Sequence, residues 1–270
     1  MTTYLFVFLM GLGWYFVLVV DGGSIGEIFT EKNGHFALKF LRRLVGVGLE
    51  DPAWTQAYIW KDTLVATLDT LKMSLLSILL TGVMALVSVP LGTRSIAFGD
   101  LTLTTSPLGR FAYYMTQALY TLGRAIPELI WAMMIIFVFK PGLVAGALAL
   151  AIHNFGILGK LWTETIDDMA TGPVHGLALT GASHWQLLVF AVLPAVVGKW
   201  VSYMVYRWEI ILRTTIVVGF VGAGGLGQDF RTAMSFLHYD RVLVILLTYL
   251  SLVYLADRLS DGLRKRLGEP

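Results

Sequence analysis

Long, mostly apolar stretches dominate this chain, and most approach or exceed the roughly 20 residues that a membrane-crossing helix requires. Thr3 to Val20 is the first, ending at Asp21. It lacks the basic start and small-residue cleavage site of a removable signal peptide, so a retained helix is predicted. The second runs from about Leu71 to Leu91, with Thr63-Leu64 and Thr67-Leu68 before it on a helical period and Pro90 and Gly92 closing it. A third, Phe111 to Phe139, is too long for one straight span. Arg124, Pro127 and Glu128 interrupt it, which predicts a kink or break. Lys140-Pro141-Gly142 makes a turn, and the Ala/Leu/Gly-rich run Leu143 to Trp162 follows, its small residues suited to close helix packing. Trp185 to Tyr206, carrying Pro194, and Val242 to Leu255 complete six predicted spans.

Between the first two spans lies the stretch Asp21 to Asp62. Phe36, Phe40, Leu41 and Leu44 recur there at helical spacing beside Lys39, Arg42 and Arg43, the pattern of an amphipathic helix lying at the bilayer surface. The organisation predicted is therefore residues 1–62, a first helix plus an interfacial segment, and 63–270, an all-α membrane-spanning body. Sidedness is contested by the charges. Arg258, Arg264, Lys265 and Arg266 favour a cytoplasmic C-terminus, and six spans then put the N-terminus inside as well. Yet Lys32, Lys39, Arg42, Arg43 and Lys61 would lie outside, and Thr163 to His184 would lie inside without a single Lys or Arg.

Composition agrees with a membrane protein: 56% of the 270 residues are hydrophobic and 14% charged, against roughly 25% charged in soluble domains. A net charge of +2 without a long basic run argues against a nucleic-acid partner. The absence of cysteine removes disulfides, thiolate metal sites and cysteine nucleophiles. None of the five histidines (His35, His153, His175, His184, His238) has the spacing of a helix-borne zinc site, so no metal is expected.

The segment Thr171 to Pro194 carries the most specific signal. Pro173 suits a helix start and Gly181 a helix end, so a short helix is predicted between two spans. The segment resembles the cytoplasmic loop of ABC importer permeases, whose pattern is Glu-Ala-Ala, three residues, Gly, nine residues, Ile, one residue, Leu-Pro. Gly181, Leu193 and Pro194 fall on that pattern, whereas His175, Gly176 and Leu177 stand at the Glu-Ala-Ala positions and Ala191 at the Ile. Pro173-Val174 and Thr180-Gly181-Ala182-Ser183 resemble the phosphonate/phosphite-type branch. So do Ser88-Val89-Pro90-Leu91-Gly92, Arg124-Ala125-Ile126-Pro127-Glu128, and the stretch from Ala149 through His153-Asn154 to Leu161. Tyr206-Arg207-Trp208-Glu209, Arg213 and Val221 to Gly227 continue the match, which covers roughly residues 63–263.

The resemblance implies a permease subunit of an ATP-driven importer of the type I fold, moving a phosphorus oxyanion across the bacterial inner membrane. It implies a second permease copy, two ATPase subunits that carry ATP and Mg, and an extracytoplasmic binding protein. It implies an ATPase-coupling helix formed by His175, Gly176, Leu177, Ala178, Thr180, Gly181 and Ala182, with Leu193 and Pro194 behind it. No Gly-x-x-x-x-Gly-Lys-Ser/Thr occurs in the sequence, so the ATPase must be another chain.

Ionisable residues inside spans line a polar path or pair with one another. Arg124, Glu128, His153, Asn154, Arg207, Glu209 and Arg213 are the candidates, and Glu209 with Arg213 has the i,i+4 spacing of an ion pair. Gly222, Gly224, Gly225 and Gly227 satisfy a dinucleotide-binding pattern but lack the strand-helix-strand setting. They predict a flexible turn or gate, or close helix packing. Gly22-Gly23-Ser24-Ile25-Gly26 fits a nucleophile pattern without its strand-to-helix elbow, so a loop is expected rather than an intramembrane hydrolase. A gradient-driven secondary transporter of small anions is the alternative function, and it would show paired broken helices in an internal repeat.

Overall fold

The computed structural model describes residues 2–20, 30–101 and 105–266, and among them there are helices and no strands. In order the helices are α1 (Thr2–Tyr15, continued by a π-helical turn Phe16–Val20), α2 (Glu31–Val45), α3 (Ala57–Gly92), α4 (Arg94–Ala97), α5 (Pro107–Ala125) and α6 (Glu128–Phe139). Then come α7 (Leu143–Asp167), α8 (Gly172–Leu179), α9 (His184–Leu187), α10 (Leu193–Val218), α11 (Gly225–Ser235) and α12 (Tyr239–Arg266). Four stretches are long and apolar enough to cross a bilayer: 57–97, 143–167, 185–223 and 239–266. The bent pair α5 and α6 counts as a fifth, and the N-terminal apolar helix is shorter.

Several helices outrun the expected boundaries, α7 by reaching Asp167 and three others by longer stretches. Helix α3 begins at Ala57 rather than Leu71, because Thr63, Thr67 and Thr70 bond back to the carbonyls of Ile59, Thr63 and Ala66 at 2.8, 2.7 and 2.9 Å. Those bonds let polar residues stay within a buried helix face. Helix α10 continues past Tyr206, and α12 continues from Leu255 to Arg266, on charged residues that pair with one another. Hydropathy marks where side chains are apolar, not where the backbone stops being helical.

The predicted break in the third span is present, with α5 and α6 bent by 96°. Pro127 has no N–H to donate and holds Ile126 extended (ψ 122). The carbonyls released at the break are taken up by side chains: Trp131 Nε1 donates to Gly123 O at 3.1 Å, and His153 Nδ1 lies 3.0 Å from Ile126 O.

Helix α7 is the centre of the bundle and packs against α3, α5, α6 and α10. Its buried face is Ala145, Gly146, Ala147, Ala149, Leu150, Ala151, Asn154, Gly156, Leu158 and Gly159. The small side chains set the spacing. A Cβ on Gly156 would strike the backbone of Tyr120, Gly123 and Arg124, so α5 lies backbone to backbone on α7. Ser88 Oγ bonds the fully buried Tyr120 hydroxyl at 2.8 Å, fastening α3 to the same crossing.

The bundle has two distinct ends. At one, α8 lies beside the end of α7 and the α3–α4 junction. At the other, α2 packs on the start of α12, with Phe40 edge-on to Tyr239 at 5.2 Å and Ala53 N donating to Asp240 at 2.8 Å. Helix α3 runs from one end to the other, about 54 Å for its length at 1.5 Å per residue.

Candidate functional site

The predicted loop helix forms at Gly172–Leu179, with Pro173 in its first turn. Val174 is fully buried, and Leu177, Ala178 and Ala182 are partly buried against the core cluster that includes Ile166, Leu187, Val192 and Val196. His175 Nε2 lies 2.8 Å from Asp100 O, and because a carbonyl only accepts, that nitrogen carries a proton. The helix ends at Gly181, whose φ of 82° is costly for any residue with a side chain. At the same end of the bundle, Asp167 at the end of α7 holds α4 by accepting from Ser95 N at 2.8 Å and Ser95 Oγ at 2.6 Å.

Pro173, Gly176, Leu179 and Thr180 point away from the bundle, and Leu179 is 87% exposed. The residues taken from the sequence as the coupling set therefore divide. His175, Leu177, Ala178 and Ala182 seat the helix, whereas Gly176, Thr180 and Gly181 are on its open side. Pro173 and Leu179 share the open side and were not among the residues predicted. Only the packing of Val174 reveals which face is left over.

Behind α8, Leu193 and Pro194 are exposed at the start of α10, directly after a π-helical turn at Leu188–Val192. The two helices that bracket the loop are clasped together there. The Trp162 and Trp200 rings stack with centroids 4.6 Å apart at 9°, and each indole N–H donates to the other residue's carbonyl at 3.2 Å.

The ionisable candidates form two networks, and one remains outside both. In the first, Arg207 reaches from α10 to Asn154 on α7, with Nε 3.1 Å and Nη2 2.5 Å from the amide oxygen. The amide nitrogen of Asn154 donates to Leu150 O at 2.7 Å, which fixes its orientation. The neighbouring His153 places Nε2 3.5 Å from Glu128, in the first turn of α6. Nδ1 must be protonated to donate to Ile126 O, so the ring bridges the broken helix and the Glu128 carboxyl.

The second network joins α10 to α12. Glu209 is 8% exposed and lies 2.5 Å from Arg213, the pair that the i,i+4 spacing predicts. Arg213 also reaches Asp257 at 2.9 Å. Arg264 stands 3.8 Å from Glu209 and 2.7 Å from Asp261, over the Tyr206 ring at 5.6 Å. Arg207 and Glu209, two residues apart, thus serve different networks because they leave opposite sides of one helix. Arg124 is exposed at the end of α5 and makes no ion pair or hydrogen bond among the described residues.

The glycine segment contains both structures the sequence left open. Gly222, Gly224 and Gly225 have φ of 101°, 95° and 67°, and they turn the chain from α10 into α11. Gly227 is instead a packing residue, since a Cβ there would meet the backbone of Ile216 and Gly219. Leu226 N donates to Thr70 Oγ1 at 2.9 Å, anchoring the turn to α3. With no strand nearby, the dinucleotide reading falls. No cluster of His, Asp and Glu that could hold a metal occurs among the described residues. Ser24 and its glycines lie outside the described residues.

Residues 101–269 match the family of binding-protein-dependent transport system inner membrane components. The chain belongs to that family. Members of it are membrane subunits whose ATPase is a separate partner. Among relatives, this permease chain is 34% identical over 230 residues to the phosphate-import permease protein PhnE of Mycolicibacterium smegmatis, covering 85% of this chain and 40% of that one. It is 33% identical over 198 residues to the phosphite transport system permease protein PtxC of Stutzerimonas stutzeri, covering 73% and 68%. The putative cryptic phosphonate transport system permease protein PhnE2 of Escherichia coli is 38% identical over 118 residues, 44% of this chain and 97% of that one. The chain thus spans well under half of the Mycolicibacterium protein.

The fold has solved counterparts. A chain of an inward-facing MetNI methionine ABC transporter superposes with a TM-score of 0.65 at 20% identity, covering 76% of this permease and 95% of that chain. A chain from a bacterial alginate ABC transporter, solved with a periplasmic protein bound to an alginate pentasaccharide, gives 0.55 at 14%, covering 97% and 95%. Family and fold both accord with an ABC permease, and neither with the secondary anion transporter weighed against it.

Proposed function

We propose that this chain is the permease subunit of an ATP-driven importer for a small phosphorus oxyanion, with phosphonate, phosphite and phosphate as the class. The observation that carries the importer reading is α8: a short helix seated on the bundle by one face, presenting Leu179 and Thr180 on the other, between two long apolar helices clasped at their base. The substrate class is carried by the relatives named for phosphate and phosphite transport.

In this reading α8 faces the cytoplasm, two copies of the chain form the pore, and each α8 seats in one of two ATPase subunits that hold ATP and Mg. An extracytoplasmic binding protein delivers the anion at the opposite end. Approach of the ATPase subunits draws the two α8 helices together, and the motion passes into α7 and α10. The Asn154–Arg207 network joins those two helices midway, and the Glu209–Arg213–Asp257–Arg264 network joins α10 to α12. Both are placed to hold one conformation of the gate and to part in the other. The exposed guanidinium of Arg124 stands at the break in the third span, where it can donate hydrogen bonds to an anion in transit.

Reconstitution with the neighbouring ATPase and binding protein tests the reading, with phosphonate, phosphite and phosphate uptake measured side by side. ATP-dependent uptake of at least one is expected, and ATP-independent exchange or transport of none of the three would refute it. Because the chain has no cysteine, Leu179→Cys gives sidedness directly: a membrane-impermeant thiol reagent should label it only from the cytoplasmic side.

A further inference from the structure

The five basic residues of α2 fall on one side of the helix. At 100° per residue, Lys32, His35, Lys39, Arg42 and Arg43 occupy an arc of about 100°, and they line one open groove. Phe36, Leu38, Phe40, Leu41, Leu44 and Val45 take the rest of the circumference. Phe40 and Leu44 are used on the body of the protein, against Tyr239 and the main core. Phe36, Leu38, Leu41 and Val45 stand exposed on either flank.

The basic stripe is not spent inside the molecule. Lys32, Lys39, Arg42 and Arg43 form no ion pair among the described residues, and Glu31 is the only acid on the helix. Helix stability does not account for the stripe either. Arg42 and Arg43 complement the C-terminal end of the helix dipole, but Lys32 and His35 sit near the N-terminal end, where a positive charge is unfavourable. Topology supplies no reason, because α2 lies at the end of the bundle opposite α8, so a cytoplasmic α8 puts these charges outside, against the usual bias of basic residues toward the cytoplasm. A ligand does supply one. Indole groups crowd the same level: Trp54 Nε1 donates to Val45 O at 3.1 Å, and Trp60 Nε1 donates to Trp54 O at 2.8 Å, with Tyr58 exposed nearby. Such aromatic belts mark the lipid–water boundary.

We infer that α2 is a binding site for the phosphate groups of anionic phospholipids, with Lys32, Lys39, Arg42 and Arg43 as the headgroup ligands and the exposed apolar flanks inserted among acyl chains. The exposed Leu38, Leu41 and Val45 decide for lipid over an acidic protein surface, which would meet the charges but leave the apolar flanks in water. Only the leaflet, the outer one, depends on the importer reading. Binding itself does not, so the test is done where sidedness plays no part.

The intact protein in detergent is titrated with phosphatidylglycerol or phosphatidylcholine, and retained lipids are counted by native mass spectrometry. Preferential retention of phosphatidylglycerol is expected, falling as salt is raised. The variant Lys39→Gln/Arg42→Gln/Arg43→Gln should weaken it roughly a hundredfold, from about fivefold per charge near an anionic surface. Arg42→Lys/Arg43→Lys, which keeps the charges, should retain the lipid. Equal retention of the two lipids, or wild-type retention by the glutamine variant, would overturn the proposal. Displacement of the lipid by millimolar inorganic phosphate would also overturn it, by revealing a free-anion site. So would a glutamine variant that keeps its lipid but loses affinity for the binding protein, since the stripe would then be a protein-docking surface.

Discussion

Replacing Leu179 separates the two faces of α8 in a single experiment. In the free chain this side chain is 87% exposed, so it contributes almost nothing to folding. Nearly all of its apolar surface is available to be covered by an ATPase subunit. Truncation to alanine removes about three carbon groups, worth about 2 kcal/mol at 0.8 kcal/mol each, or roughly a 30-fold weaker complex per site. Val174, five residues earlier on the same helix, is fully buried, and Val174→Ala should cost about 2 kcal/mol of folding stability through lost burial and the void left behind. The assay is paired: affinity of the purified permease for the ATPase by biolayer interferometry, and thermal unfolding of each permease variant alone. Leu179→Ala should lower affinity and leave the melting temperature unchanged, with Val174→Ala lowering the melting temperature first. A Leu179→Ala permease that binds the ATPase like wild type would refute the docking face, and one that melts early would refute the claim that this side chain is idle in the free chain.

Other consequences are equally direct. Gly156→Ala pushes a methyl group into the backbone of α5, where no rotamer change can relieve it, and should cost roughly 1–3 kcal/mol. Gly198→Ala, with open space around it, should be silent in the same melting experiment. Arg213→Ala leaves Glu209 and Asp257 short of a partner. Because Arg213 is 44% exposed, the cost is roughly 1–2 kcal/mol after allowing for screening. Uptake should fall, and a double-mutant cycle with Glu209→Gln should show positive coupling; strict additivity would dissolve the pair. Asp229, in α11 outside the spanning segments, has its carboxyl pushed up by burial, with Arg241 opposing and Asp62 adding to the shift. A raised carboxyl pKa means the folded state holds the proton more tightly. Its contribution therefore turns unfavourable as pH rises from the unfolded toward the folded pKa and stays so above it. Asp229→Asn should accordingly raise the melting temperature at neutral pH and lose that advantage in acid.

The fold was legible in the sequence to the extent that hydropathy and helix breakers express it. The break at Pro127 and the turn at Gly181 follow from backbone chemistry that proline and glycine announce. The Glu209–Arg213 pair follows from spacing alone. What hydropathy hid were the extensions of α3 and α12, whose polar residues stay helical because Thr63, Thr67 and Thr70 bond their own backbone and because Asp257 and Arg264 find partners on α10. Periodicity could not disclose which side of α8 is free, since Val174, Leu177 and Leu179 are alike in character and only burial against the bundle separates them. Nor could it join Asn154 to Arg207, a contact across 53 positions of chain.

The reciprocal indole contact between Trp162 and Trp200 has a mechanical implication. A strap joining two rods transmits a push only when the rods cannot spread apart beneath it. Two flat rings pressed face to face, each tethered to the opposite backbone, remove that slack at the root of the strap. In the importer proposed above, force delivered to Leu179 would then tilt α7 and α10 as one lever instead of prying them open.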